Sequence, residues 1–153
     1  MWALNCSQQT LKKFEEKYPQ EVRPKNCLIL CESWASGKIK MNLAKQAILA
    51  AHRAAKDVDE IYGALCHAIG HAGATVHVET HAIGLPFYEL TSLVREYNNF
   101  TLISQKIKFY YENLLYWKEN TDKQKKEWAK FLLDFNRPNK EKQLNKKRDL
   151  YTD

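Results

Sequence analysis

The side chains best equipped for chemistry in this chain are its five histidines: His52, His67, His71, His77 and His81. Four of them lie in one stretch, IYGALCHAIGHAGATVHVETHAIG, from Ile61 to Gly84, which carries no Asp, Glu, Lys or Arg before Glu79. His67/His71 and His77/His81 each stand four residues apart, so each pair offers two ring nitrogens on one helical face, an arrangement that zinc often uses. His77-Val-Glu-Thr-His81 is not the metalloprotease pattern, which needs Glu directly after the first His. A metal set would be His71, His77 and His81, with His52 or Glu79 as further donors, although Glu79 falls on the far face of a helix from His77 and His81. The competing reading is that these are core histidines bonded to carbonyls or to each other. It is the favoured one, and no cofactor or metal is expected.

Other chemistry is poorly supplied. Cys27 and Cys31 could join a histidine pair in a Cys2His2 site, but two thiols on an apolar helical face are more often packing. Cys6 and Cys66 have no basic neighbours in sequence to activate them. The chain contains no Gly-rich phosphate loop, paired-carboxylate signature or Gly-x-Ser-x-Gly elbow. The expectation is a protein that is not an enzyme.

The histidine stretch must be positioned by helices. At 100° per residue Gly63, His67, Gly70, Ala74, His77 and His81 share one stripe, and the remaining faces are Ala, Ile, Leu and Val. A helix apolar all round is a buried helix, and one running from Ile61 to Gly84 would be roughly 33 Å long. Its uncharged part barely reaches the ~18 residues of a membrane candidate and holds three histidines, so a core helix is expected. Glycine and alanine on the stripe suit closely approaching neighbours.

The flanking sequence predicts an all-α, single-domain bundle of six to seven helices around that buried rod. A first amphipathic helix carries Leu4, Leu11, Phe14 and Tyr18 and stops at Pro19. A second opens at Pro24, buries Cys27, Leu28 and Cys31, and ends at Gly37. Asn42 is placed as the cap of a third, and Asp57 or Asp59 as the start of the central one. Gly84-Leu85-Pro86 reads as a break, with Gly84 in a left-handed cap. A short helix over 87–97 follows, then a longer one from Thr101 to Glu119 with a seam at Ile103, Ile107, Tyr110, Leu114 and Trp117. Trp128, Phe131, Leu132 and Phe135 mark a last helix. The domain is expected over 1–138, with 139–153 a loosely held basic tail.

Composition narrows the function. The formal charge is +6, and it is uneven: 11 basic against 10 acidic residues up to residue 97, then 13 against 8 beyond it. That excess suits an acidic partner, but no nucleic-acid-binding module accompanies it, so nucleic acid is not the expected partner. The four cysteines do not form a disulfide layout, and MWALNC lacks a signal-peptide pattern, so a reduced, cytoplasmic protein is expected. For partner binding the residues singled out are Phe109 and Tyr116, aromatics off the Thr101–Glu119 seam, followed by Lys123, Lys125 and Lys126.

Several spaced elements also agree with one known group. LNCSQQTLKKFEEKYPQEVRPKN, then W-x-x-G-K-I-K-M, AAHRAA and HAIGHAGATVHVETHAIG, from Leu4 to about Leu90, resemble the bacterial immunity proteins of polymorphic-toxin systems, the immunity-protein-five-like group. The resemblance implies an all-α cytosolic protein that binds and neutralises a co-encoded toxin domain. It brings no catalytic residues with it.

Overall fold

The computed structural model describes residues 1–120 and 127–133. Its elements are α1 (Trp2–Lys17), α2 (Arg23–Ala35), α3 (Met41–Ala54), α4 (Glu60–Ala74), a 3₁₀ turn (Glu79–Ile83), α5 (Gly84–Tyr97), α6 (Phe100–Asn120) and a single turn, α7 (Lys130–Leu133). There is no strand among the described residues, so the chain is an all-α bundle. No described helix is long and apolar enough to cross a membrane.

Local chemistry explains most of the boundaries. Pro24 sits in the first turn of α2, where its missing N–H costs nothing. Gly37, at φ +76, stands two residues past the end of α2, with Gly37 N–H donating to Trp34 O and Lys38 N–H to Ser33 O. This pair of bonds closes the orphan carbonyls of the helix end. Asp59 caps α4, accepting from the Ile61 and Tyr62 amides at 3.0 and 3.1 Å, an arrangement worth about 1 kcal/mol. The third helix starts two residues earlier than Asn42 would place it: Lys40 is the extended flanking residue, and Asn42 lies inside the first turn.

The central helix is real but shorter than expected. Every residue of α4 from Tyr62 to Ala74 is buried except His67 and His71, and α4 packs against α1, α2, α3 and α5. It does not continue to Gly84. The chain leaves the helix at Thr75, whose Oγ1 donates to Ala72 O, and tightens through i→i+3 bonds at Thr75 and Val76. Three of the four residues 75–78 are β-branched, which lowers helix propensity, and Val78 is extended. Gly84 is correspondingly not a left-handed cap. It has φ −65 and begins α5, with Pro86 in the first turn.

Two apolar clusters hold the bundle. One joins Leu4, Leu11 and Phe14 of α1 to Leu65 and Ile69 of α4 and to Leu85 of α5. The other joins Cys27, Cys31 and Trp34 of α2 to Ala44, Ile48 and Ala51 of α3. Complete burial of a side chain such as Phe14 is worth about 1.5–3 kcal/mol. All four cysteines are buried and free. Burial raises the thiols of Cys6 and Cys66 to about 11 and about 12, keeping them neutral.

The seam expected on α6 is only half realised: Tyr110 and Trp117 are buried, whereas Ile107 and Leu114 face outward. α6 packs on α5 and α1, leaving one flank uncovered among the described residues. The last expected helix is represented by α7, tied back to α2 by Ala129 N–H donating to Ala35 O. Phe135 and the tail 139–153 lie outside the described residues.

Candidate functional site

The turn after α4 gathers the histidines. Had one helix run from Ile61 to Gly84, His71 and His81 would stand about 15 Å apart. Instead the chain doubles back and their Nδ1 atoms are 3.2 Å apart. His52 of α3 meets His67 in the same way, Nδ1 to Nδ1 at 2.9 Å. Ring centroids of His52 and His71 are 5.2 Å apart, and His77 lies 5.9 Å from His81, so the five imidazoles form one chain of contacts. Tyr88 of α5 closes the group, 5.1 Å from His67 and stacked on His71 at 5.2 Å.

Glycines make room for these rings. A Cβ on Gly70 would stand 2.7 Å from His52 Nε2, and one on Gly84 would stand 2.3 Å from His71 Cγ. The imidazoles are half-buried rather than dry. Burial first, then the neighbouring imidazoles of His71, His67 and His81, lowers His52 to about 4. Burial also lowers His67, and burial with His81 and His67 lowers His71.

The metal arrangement drawn from His71, His77 and His81 needs three nitrogens aimed at one point. Among the described residues no group of three or more His, Cys, Asp or Glu side chains is so arranged. The Nδ1 atoms of His71 and His81 face each other, and Cys27 and Cys31 lie against Gly73 rather than against a histidine pair. The polar contacts of these rings within the cluster are His52 to His67 and His71 to His81. A separate cleft of about 360 Å³, lined by Trp2, Leu4, Val76, Ala82 and Trp128 with Glu79, contains none of the histidines.

The second feature is the α5–α6 hairpin. Asn98, left-handed at φ 43, reverses the chain, and Asn99 Oδ1 caps α6 by accepting from Leu102 N–H at 3.1 Å. Ile83, Phe87, Leu90 and Val94 recur at helical spacing opposite the buried residues Leu85, Glu89 and Ser92. Ile107, Tyr111 and Leu114 form a similar stripe on α6. Phe87 is 65 % exposed and Tyr111 60 % exposed, although both are large and apolar. Single exposed apolar residues are ordinary, but aligned stripes on consecutive helices mark interaction surfaces.

Phe109 and Tyr116 take different places. Phe109 is half-buried, packs against the main core, and is covered by Lys106, whose Nζ lies 4.5 Å from its ring centroid. Tyr116 is exposed and contacts Trp117 edge-on. Lys123, Lys125 and Lys126 lie outside the described residues. Sequence spacing missed the Phe87 and Tyr111 stripes because each reads as an ordinary buried face. The signal that could have found them is the width of the apolar arc on α6, which exceeds what one neighbouring helix covers.

The described residues form an all-α bundle whose α5–α6 hairpin carries exposed apolar side chains. The family comparison is specific: a family described as "Imm-5 like putative immunity protein" matches residues 1–115, and the chain belongs to that family. The comparisons with curated proteins and with solved structures return no match.

Proposed function

We propose that this chain is an immunity protein that neutralises a cognate toxin domain by binding it stoichiometrically in the cytoplasm, with the α5–α6 hairpin as its contact surface. The observation that carries this reading is the paired apolar stripe of Phe87, Val94, Ile107, Tyr111 and Leu114, exposed in a chain whose family implies a protein partner. Aromatic residues in such a position are the usual energetic anchors of an interface. Tyr116 is also exposed, but it lies about half a turn round α6 from that stripe, on the opposite face. Phe109, half-buried under Lys106, is on that opposite side as well and would flank the contact rather than form it. Lys123, Lys125 and Lys126, which follow α6 in the sequence, would steer an acidic partner toward the hairpin.

The test is co-expression with the product of the adjacent reading frame. That product should arrest growth alone and be tolerated beside this chain. Phe87→Glu or Tyr111→Lys should abolish protection without unfolding the bundle, because both side chains are already mostly in water. A harmless neighbour, or full protection by both variants, would remove the reading.

A further inference from the structure

Nothing in partner binding calls for a chain of imidazoles between α3, α4 and the start of α5, yet the fold is arranged around it. His52–His67 bridges α3 to α4, and His71–His81 bridges α4 to the 3₁₀ turn. Each Nδ1···Nδ1 contact needs one protonated and one bare nitrogen, because two N–H groups cannot bond to each other. Both bridges therefore exist only while at least one ring of each pair is neutral.

For His52 and His71 the charged neighbours are other imidazoles. The charges felt by His52 are those of His71, His67 and His81, and those felt by His71 are of His81 and His67. No carboxylate stands among them. On α3 the adjacent Arg53 is an exposed cation, as is Lys56 two residues beyond its end. From α2, packed on α3 and α4, the groups that arrive are the thiols of Cys27 and Cys31 against Gly73. On the 3₁₀ turn, Glu79 is exposed and lines the separate cleft, while His77 adjoins His81. From α5 come the Tyr88 ring, stacked on His71, and Glu89, whose carboxylate is occupied by Thr10, Tyr110 and Lys106.

We propose that His52, His67, His71 and His81 form an acid-sensitive latch, which holds residues 75–84 against α4 while the rings are neutral and releases them when the cluster takes up protons. Protonating the second ring of a pair turns an acceptor into a donor, breaks the bridge and sets two cations about one ring-contact apart. The segment that gives way is the one with least else to hold it. No residue of the 3₁₀ turn is buried, whereas α4 beneath it is almost wholly so. Local opening is expected where apolar contacts are few. Because His71 rests on Gly84, the first turn of α5 and its exposed Phe87 move with the latch.

Hydrogen exchange read by mass spectrometry tests this on the full chain, in metal-free buffer with chelator, at about pH 7.5 and about pH 4.0, corrected for the intrinsic rate. Protection over residues 75–88 should fall by about tenfold more than protection over α1. His81→Asn, a change on the half-exposed turn, should show the open pattern already at the higher pH. A uniform loss across the chain, an unchanged 75–88 segment, or a His81→Asn protein that still opens only in acid would each overturn the proposal.

Discussion

Lys106 Nζ lies 2.8 Å from Glu89 Oε1, with the two side chains 15 % and 7 % exposed, so α6 is fastened to α5 by a buried ion pair. The other carboxylate oxygen accepts from Thr10 Oγ1 at 2.9 Å and from the Tyr110 hydroxyl. Three helices thus converge on one carboxylate. Burial, with the neighbouring Glu89 charge, drives the Tyr110 hydroxyl well above its ordinary range, so it stays a donor. Removing one partner strands a buried charge, which costs about 3–5 kcal/mol, whereas replacing both can be nearly neutral. Lys106→Met alone should therefore lower the urea-unfolding free energy by several kcal/mol. The double change with Glu89→Leu should recover much of that loss. A single variant as stable as the parent would show that the pair is not the fastener.

Acid should weaken the bundle through its histidines. His52, lowered to about 4, and His67 and His71, lowered in the same direction, bind protons less readily when folded than when unfolded. Between about pH 6.5 and about pH 4 the unfolded chain holds more protons. This contribution to stability is complete above that window and lost as pH falls through it. Allowing for solvent around these half-exposed rings, His52 contributes about 1–2 kcal/mol. Asp59 titrates lower: burial raises it, but hydrogen bonds from Lys17, the Tyr62 amide and Tyr18 outweigh burial and bring it to about 2. Urea midpoints compared at about pH 7.5 and pH 5.5 stay above the carboxylate range and report the histidines, and equal midpoints would contradict their neutral burial.

The glycines beneath the imidazoles should resist substitution unequally. A Cβ at position 84 would meet the Cγ and Cβ of His71, the fixed end of that side chain, at 2.3 and 2.7 Å. A Cβ at position 70 would meet the outer ring atoms of His52, which can swing aside. Gly84→Ala should cost about 1–3 kcal/mol. Gly70→Ala should cost less, because the gain in helix propensity offsets part of the clash. Thermal melts of the two variants decide it, and a more stable Gly84→Ala would mean the His71 ring does not rest there.

Ser92 presents the reverse case. Its Oγ is fully buried and has no hydrogen-bond partner in the structure. An unsatisfied buried hydroxyl is a cost, so Ser92→Ala should leave stability unchanged or raise it by up to about 1 kcal/mol. A clear drop in melting temperature would indicate that the hydroxyl is satisfied.

How far the sequence reveals this molecule depends on which interactions are local. Pro24, Gly37 and Asp59 announce helix ends through backbone chemistry that a few residues decide, and the structure has them in those roles. The end of α4 is harder to read, because the stripe through His67, Gly70, Ala74, His77 and His81 continues without a break in phase. The β-branched run at 75–78 is the local signal for the turn, but periodicity outweighs it on paper. The pairing of His71 with His81, and of His52 with His67, depends on that turn and on how α3 packs against α4, neither of which spacing supplies. Likewise, apolar periodicity on α5 and α6 shows that a face exists but not whether another helix covers it. Phe109 and Ile107 illustrate the ambiguity, the first half-buried and the second exposed.

Titration calorimetry with the purified product of the neighbouring reading frame, inactivated if necessary, measures directly whether the exposed α5–α6 stripes bind a toxin. The parent chain should bind one to one, and Tyr111→Lys should weaken binding by about 2 kcal/mol or more, as expected for an interface anchor, while its melting temperature stays unchanged. Tight binding that is indifferent to Tyr111→Lys and Phe87→Glu would place the contact elsewhere. No binding by the parent chain would contradict the account.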